Sequence, residues 1–517
     1  MMRADRAAFL ALILCGTAAG AVPVPVPVPQ AGVAKPSGDV RTAIAEAYAL
    51  GQKGDCAGLL ARLDPVVPGL APGADRNAVQ LLRLNCLAPA GRGGELAAVQ
   101  AELVKAEPTN PIVRGFGILI AADAGDMKGA GEQLAVLAEK TPDGLSGISG
   151  RLWRAINQTL SESKDIALRD RIAVALARAD WQPTDLPELR GDVAEAAVSV
   201  LVRRGEVVEA GQILPRVTSP ESLFELAILR DHAPIWPQLE EQMGPQSGRA
   251  IDAFATDRLA AFAAQPDDPQ TRLGAVRAFV LLGRYREASE TAASVAVANG
   301  MGEDAVSTVR LDAQALGMTG GRAAAIARLQ PFATLDFVRT PVAVSGMIAL
   351  AETLDEADRA ADALTAARAG LTQGGPALSP WGAAWLRRTE ACSLAALGRA
   401  GEAKVVTAAL RAKPDDNPAA AIEASLCAKE DGAAETVAVA TLATADGAAM
   451  IADQFQPEDA LWVRNGSRLR ALWTAFLKRP AVAAAFEKRA RILPQALRPA
   501  AEPRAIPRAG GSGVPTA

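Results

Sequence analysis

Residues 282–288 read Leu-Gly-Arg-Tyr-Arg-Glu-Ala, and residues 124–142 read AGDMKGAGEQLAVLAEKTP. The two stretches carry the same parts in the same order. A glycine, Gly283 or Gly125, takes the left-handed turn between two helices. Two positions later stands a large side chain, Tyr285 or Met127, and then a small one, Ala288 or Ala130, where crossing helices must approach. In the longer stretch Leu134 and Leu137 continue the apolar side at helical spacing, and Pro142 ends the helix. Each stretch is thus the turn and second helix of a hairpin with an exposed apolar face, which has to be buried against a neighbour.

The pattern recurs outward along the chain. Gly91 to Gly125, Pro108 to Pro142 and Gly398 to Gly432 are each 34 residues apart. Gly205-Glu206-Val207 leads through Ala210 and Leu214 to Val217, and Gly398 leads through Ala403 to Pro414. This interval and these residue types resemble the tetratricopeptide repeat family in degenerate form. The Trp-x-x-Leu-Gly signature of the family's first helix is absent, and residues 143–190 and 218–268 break the period. The resemblance implies an all-α, right-handed solenoid of antiparallel helix pairs. It also implies a non-enzymatic scaffold that holds a partner protein or extended peptide on its concave face.

Composition agrees with the all-α reading. Of 517 residues half are apolar and only 4% aromatic, dominated by Ala and Leu, with almost no alternating β-branched runs. A net charge of −4 argues against a general nucleic-acid binder, which needs a broad cationic face. With His232 as the one histidine, a multi-histidine metal site is ruled out, and no cofactor or metal motif is present.

The N-terminus has the order of a secretory signal: Arg3 and Arg6, an apolar run from Ala7 to Cys15, and the small residues Ala19-Gly20-Ala21. Lipidation at Cys15 is the competing reading, disfavoured by Leu14 where such signals carry a small residue. The expected localisation is periplasmic or secreted. The expected organisation is a signal peptide (1–21), a Val-Pro linker (22–38), N-terminal repeats (39–142), irregular helical repeats (143–268), C-terminal repeats (269–457), capping helices (458–497) and a disordered tail (498–517).

Four cysteines follow the signal segment. Cys392 and Cys427 lie six and five residues before Gly398 and Gly432, and Cys86 lies five before Gly91, with Cys56 just after Gly54. Similar heights in adjacent repeats make Cys56–Cys86 and Cys392–Cys427 the expected disulfides in an oxidising compartment; the alternative is four buried thiols.

Residues 461–508 are basic, with Arg464, Arg468, Arg470, Lys478, Arg479, Lys488 and Arg489 interleaved with Trp462, Trp473 and Phe476. Such a segment offers peripheral contact with anionic lipid or an envelope polymer, and hence a membrane-surface assembly factor as an alternative function. The other reading is a capping helix with a solvated basic face.

The pair Glu162-Ser163 resembles the catalytic Glu-Ser of soluble lytic transglycosylases, which would make the chain a cell-wall polysaccharide enzyme or accessory. The lysozyme-like domain of that family is missing here, so no catalytic residue is assigned. His232 lies in a turn-rich stretch, 230–237, that with Trp181-Gln182-Pro183 is a candidate groove in the irregular middle.

Overall fold

The computed structural model describes residues 38–464 and 466–507. The expectations for the signal peptide and the Val-Pro linker therefore lie outside the described residues, as does the tail beyond residue 507. Contacts divide the chain into two units, at Val217/Thr218.

The first unit is a run of helix pairs: α1 (Gly38–Gln52) with α2 (Cys56–Leu63), α3 (Ala74–Leu87) with α4 (Gly93–Ala106), and α5 (Pro111–Asp123) with α6 (Met127–Lys140). Then come α7 (Gly150–Glu162) with α8 (Ile166–Arg178), and α9 (Leu189–Arg203) with α10 (Val207–Ile213). The stretch from residue 143 thus continues the hairpin pattern, with a 3-10 turn at Pro142–Gly147 as the interruption.

The second unit begins with α11 (Pro220–Ile228), α12 (Trp236–Met243) and α13 (Gly248–Ala264). The pairs α14 (Pro269–Leu281) with α15 (Tyr285–Ala292), α16 (Glu303–Met318) with α17 (Arg322–Leu329), and α18 (Val344–Glu356) with α19 (Ala360–Gln373) follow. After them come α20 (Pro380–Ala396) with α21 (Ala400–Arg411), α22 (Pro418–Cys427) with α23 (Asp431–Thr441), then α24 (Ala445–Ile451), α25 (Arg468–Phe476) and α26 (Pro480–Arg489). No strand is formed among the described residues, only a single antiparallel bridge between Leu229 and Ala490. In this unit the first helices α14, α16, α18, α20 and α22 pack on one another as well as on their partners. That next-but-one packing makes the array an all-α solenoid, since each hairpin buries its apolar face only on its neighbours.

Local chemistry sets the helix ends. Asp126 caps α6 by accepting from Gly129 N at 2.8 Å, Asn417 caps α22 through Ala420 N, and Ser379 caps α20 through Gly382 N. The inter-helix turns place one residue at positive φ: Gly54, Gly91, Gly125, Lys164 and Gly205 in the first unit, and Gly283, Gly320, Asp358, Gly398 and Lys429 in the second. Gly432 is not a turn residue: it lies in the first turn of α23, and Lys429 holds the left-handed position, 31 residues after Gly398. The 34-residue interval from Gly398 to Gly432 is therefore a coincidence of spacing. The one from Gly91 to Gly125 joins two equivalent turns.

Candidate interaction surface

Along α20, Trp381, Trp385, Arg388 and Cys392 follow helical spacing and form one stripe. Neighbouring first helices contribute Glu352, Asp355 and Glu356 from α18 and Glu423 from α22. Arg388 is fully buried. Its guanidinium donates to Glu352 at 2.6 Å, lies 3.1 Å from Glu423 and 3.7 Å from Asp355, and stacks over the Trp385 ring at 4.9 Å. A buried charge is tolerated only when paired, and this one has three carboxylates around it.

Helix α25 closes over that cluster. Arg468 reaches Asp355 at 2.8 Å, the Ser467 hydroxyl and the Arg468 N–H donate to Glu356, and the Trp473 indole N–H donates to Glu423 at 2.8 Å. Burial pushes the Asp355 and Glu423 carboxyls above their ordinary range, against the opposing pull of Arg468 and Arg388. Burial also works against the charge on Arg388, but Glu423, Glu352 and Asp355 more than offset it, so the guanidinium is held charged.

Beyond α26 the chain runs back to the beginning of its unit, making one 3-10 turn at Gln495–Leu497. Arg491 N donates to Ile228 O, the Arg230 guanidinium donates to Ala490 O, and the Arg491 guanidinium lies over the Trp236 ring at 3.5 Å while pairing with Glu240. Leu493 and Leu497 are buried, Leu493 N donates to Gln456, and the Ser247 hydroxyl donates to Leu497 O. Residues 498–507, whose composition suggested a tail without packing, carry contacts of their own: Arg498 pairs with Asp459, and Arg504 with Asp252.

These contacts locate the seven basic residues singled out in the sequence. Arg464 donates to the carbonyls of Leu461, Asp459 and Pro499; Arg468 pairs with Asp355; and Arg470 donates to the carbonyls of Asp453 and Gln454. Arg479 pairs with Glu435, and Arg489 donates to Ala443 O. Lys478 and Lys488 remain exposed. Five of the seven thus serve the unit's own packing. The aromatic stripe likewise faces inward: Trp473 and Phe476 are buried against Phe455, with centroids 4.8 and 6.4 Å from its ring.

Both disulfides have the expected partners. Cys56–Cys86 ties α2 to α3 and Cys392–Cys427 ties α20 to α22, each with Cα atoms 5.0 Å apart. The second forms although Cys427 stands about a helical turn nearer its loop than the glycine register implied, because Lys429 and not Gly432 makes the turn. Glu162 is exposed at the end of α7, where it accepts from Gln158. His232 is buried in a 3-10 turn, Arg230–Ile235, and Trp181 is buried with its indole N–H on Leu145 O. Among the described residues no group of three His, Cys, Asp or Glu side chains is placed to hold a metal, and no helix is long and apolar enough to cross a membrane.

Sequence reading missed the Arg388 cluster. Its signal was present: Trp381, Trp385 and Arg388 recur at helical spacing on a helix whose other positions are mostly small or apolar.

No known protein-family profile and no curated protein matches the sequence. Among solved structures, the TPR domain of P58(IPK) is similar at 15% sequence identity over 85% of this chain and 100% of that one, with a TM-score of 0.19. At that score the likeness carries no argument, and the fold stands on the helix pairing itself.

Proposed function

We propose that the chain is an exported protein-interaction scaffold, non-catalytic, whose first-helix surfaces hold segments of partner proteins in the cell envelope. The observation that carries this reading is the treatment of residues 490–507. The second unit holds this segment, which makes one 3-10 turn at Gln495–Leu497, through main-chain hydrogen bonds to Ile228 and Leu282 and arginine–carboxylate pairs with Glu240 and Asp252, so its helices already accommodate a non-helical polypeptide. Trp381 is 53% exposed and packs edge-on against Trp385, leaving an aromatic anchor on the same first-helix stripe as the buried cluster. Export is supported by two disulfides and by the order of residues 1–21.

The test is a photo-reactive residue at position 381 in the full chain, expressed in its native envelope. One stoichiometric cross-linked partner is expected, lost in Trp385→Ala. The absence of any stoichiometric adduct at position 381, with the chain folded, would overturn the reading. Since Glu162 stands exposed on a helix end, the purified chain is also expected to release no muropeptides from sacculi; release abolished by Glu162→Gln would establish the enzyme reading instead.

A further inference from the structure

The last contact of the C-terminal segment has the form of a built site. Arg504 makes a two-pronged pair with Asp252 of α13, at 3.0 and 2.7 Å. Its N–H donates to Leu282 O at 2.8 Å, and its own carbonyl accepts from the Arg284 guanidinium at 2.8 Å. Two glycines make the room. A Cβ on Gly248 would stand 2.6 to 2.8 Å from the Arg504 guanidinium, and one on Gly283 would stand 3.4 Å from Pro503 Cα. Gly248 has ordinary helical φ, so space and not conformation is what its lack of a side chain provides. The site thus reads a proline against a glycine turn, an arginine against a carboxylate, and the main chain of that arginine on both sides.

The occupant is held lightly. Ala501, Glu502, Pro503, Ala505 and Ile506 are exposed, in contrast to the buried Leu493 and Leu497 upstream, so beyond the approach of Pro503 to Gly283 the contact rests on polar bonds. The sequence also carries the same dipeptide again: Pro503-Arg504-Ala505 is followed by Pro507-Arg508-Ala509.

We propose that the pocket formed by Gly248, Asp252, Leu282, Gly283 and Arg284 is a recognition site for an extended Pro-Arg segment of a partner protein, occupied in the free chain by Pro503-Arg504. A second copy of this chain is the weaker occupant, because each copy brings one site and one segment of its own, already tethered at high effective concentration. A partner docked elsewhere on the scaffold delivers its segment at a comparable local concentration. The proposal therefore rests on the scaffold reading for its partner, while its test does not.

A fluorescent peptide of residues 500–511 is titrated onto the full chain and onto the Arg504→Ala/Arg508→Ala variant, which lacks both resident copies of the dipeptide. The variant should bind at least about tenfold more tightly than the wild type, and adding Asp252→Asn should remove about tenfold or more of that affinity. The same peptide with alanine for both arginines should not bind. In the otherwise wild-type chain, Gly248→Ala should leave the helices intact and speed tryptic cleavage after Arg504 by about tenfold, since the nearest atoms its Cβ would meet are those of that guanidinium. A folded double variant that takes up no peptide, uptake indifferent to Asp252→Asn, or an unchanged cleavage rate in Gly248→Ala would each overturn the proposal. Concentration-dependent self-association of the wild type that Asp252→Asn abolishes would overturn the assignment to a partner protein in favour of a second copy. A failed cross-link at position 381 leaves these results untouched, and failure here leaves the scaffold reading standing.

Discussion

Arg388 is a fully buried charge in the second unit. It is surrounded by Glu352, Asp355 and Glu423, and it has a tryptophan ring beneath it. Removing one member of such a buried set leaves the others uncompensated, so Arg388→Ala is expected to cost about 3–5 kcal/mol in urea denaturation of the second unit. Replacement by methionine should cost less than alanine, because it refills the volume. Trp473 closes the same cluster with no exposed surface and with its N–H on Glu423, and Trp473→Phe keeps most of the packing while deleting that bond. In the sequence only the helical spacing of Trp381, Trp385 and Arg388 pointed to this cluster, and its carboxylates did not. Arg388 is one arginine among many, and its partners lie 36 residues upstream and 35 downstream, on helices whose registers are set by the turns between them.

Those turns decide the registers at the scale of the element. Gly398 sits at φ +76°, while Gly432 sits inside a helix with open space where a Cβ would go. Gly398→Ala is therefore expected to destabilise by roughly 1–2 kcal/mol and Gly432→Ala to stabilise by roughly 0.5–1 kcal/mol, measured by chemical denaturation. Lys429 holds a left-handed turn at φ 58°, and Lys429→Gly should be neutral to stabilising by up to about 1 kcal/mol, the relief of strain being offset by a more flexible unfolded chain. If Gly432 were the turn residue, the signs at 429 and 432 would reverse. The hairpins themselves were legible, because glycine, small residue and proline each impose a local constraint at a fixed offset. What failed was the assumption that glycine always marks the turn, since Lys164, Asp358 and Lys429 take the same conformation without it. The Cys392–Cys427 pair was legible for a more robust reason: adjacent first helices lie side by side, and a shift of one helical turn keeps a residue on the same face, whereas Cys56–Cys86 joins the start of a second helix to the end of the next first helix. Each bridge is expected to contribute about 3–4 kcal/mol, so reduction should lower the melting temperature in two separable steps when Cys56 and Cys392 are changed to serine singly.

For the whole molecule, the two units differ in how they hold their carboxylates. In the first, the arginine hydrogen-bonded to each holds Glu102, Glu139, Asp180 and Glu209 below their ordinary range. Their contribution to stability is present above the ordinary carboxylate range and is lost as pH falls through it to their lowered values. In the second unit Glu287, against the opposing pull of burial, and Glu402 are likewise lowered by Arg284 and Arg399, but burial raises Asp355, Glu423 and Asp453, so the native state binds protons more readily at these three and acid does not remove stability through them. Hydrogen exchange at about pH 4 is therefore expected to speed up in the first unit before the second; the opposite order would contradict this assignment.

The C-terminal segment was legible as basic and aromatic but not as internal. Composition says that Arg468, Arg470 and Arg479 need anions, and only the fold says that Asp355, the carbonyls of residues 453 and 454, and Glu435 supply them. The same packing predicts that the wild-type chain does not co-sediment with anionic vesicles, and that binding appears only when residues 461–507 are released. The most direct measurement is amide hydrogen exchange in the intact chain at neutral pH, read at Arg491, Leu493 and Arg504, whose N–H groups donate to Ile228 O, Gln456 Oε1 and Leu282 O. Protection of Arg491 and Leu493 comparable to the helices of the second unit, with Arg504 protected less but measurably, is the expected result. Exchange of all three at the rate of an unstructured peptide would contradict the claim that the second unit holds its own C-terminal segment.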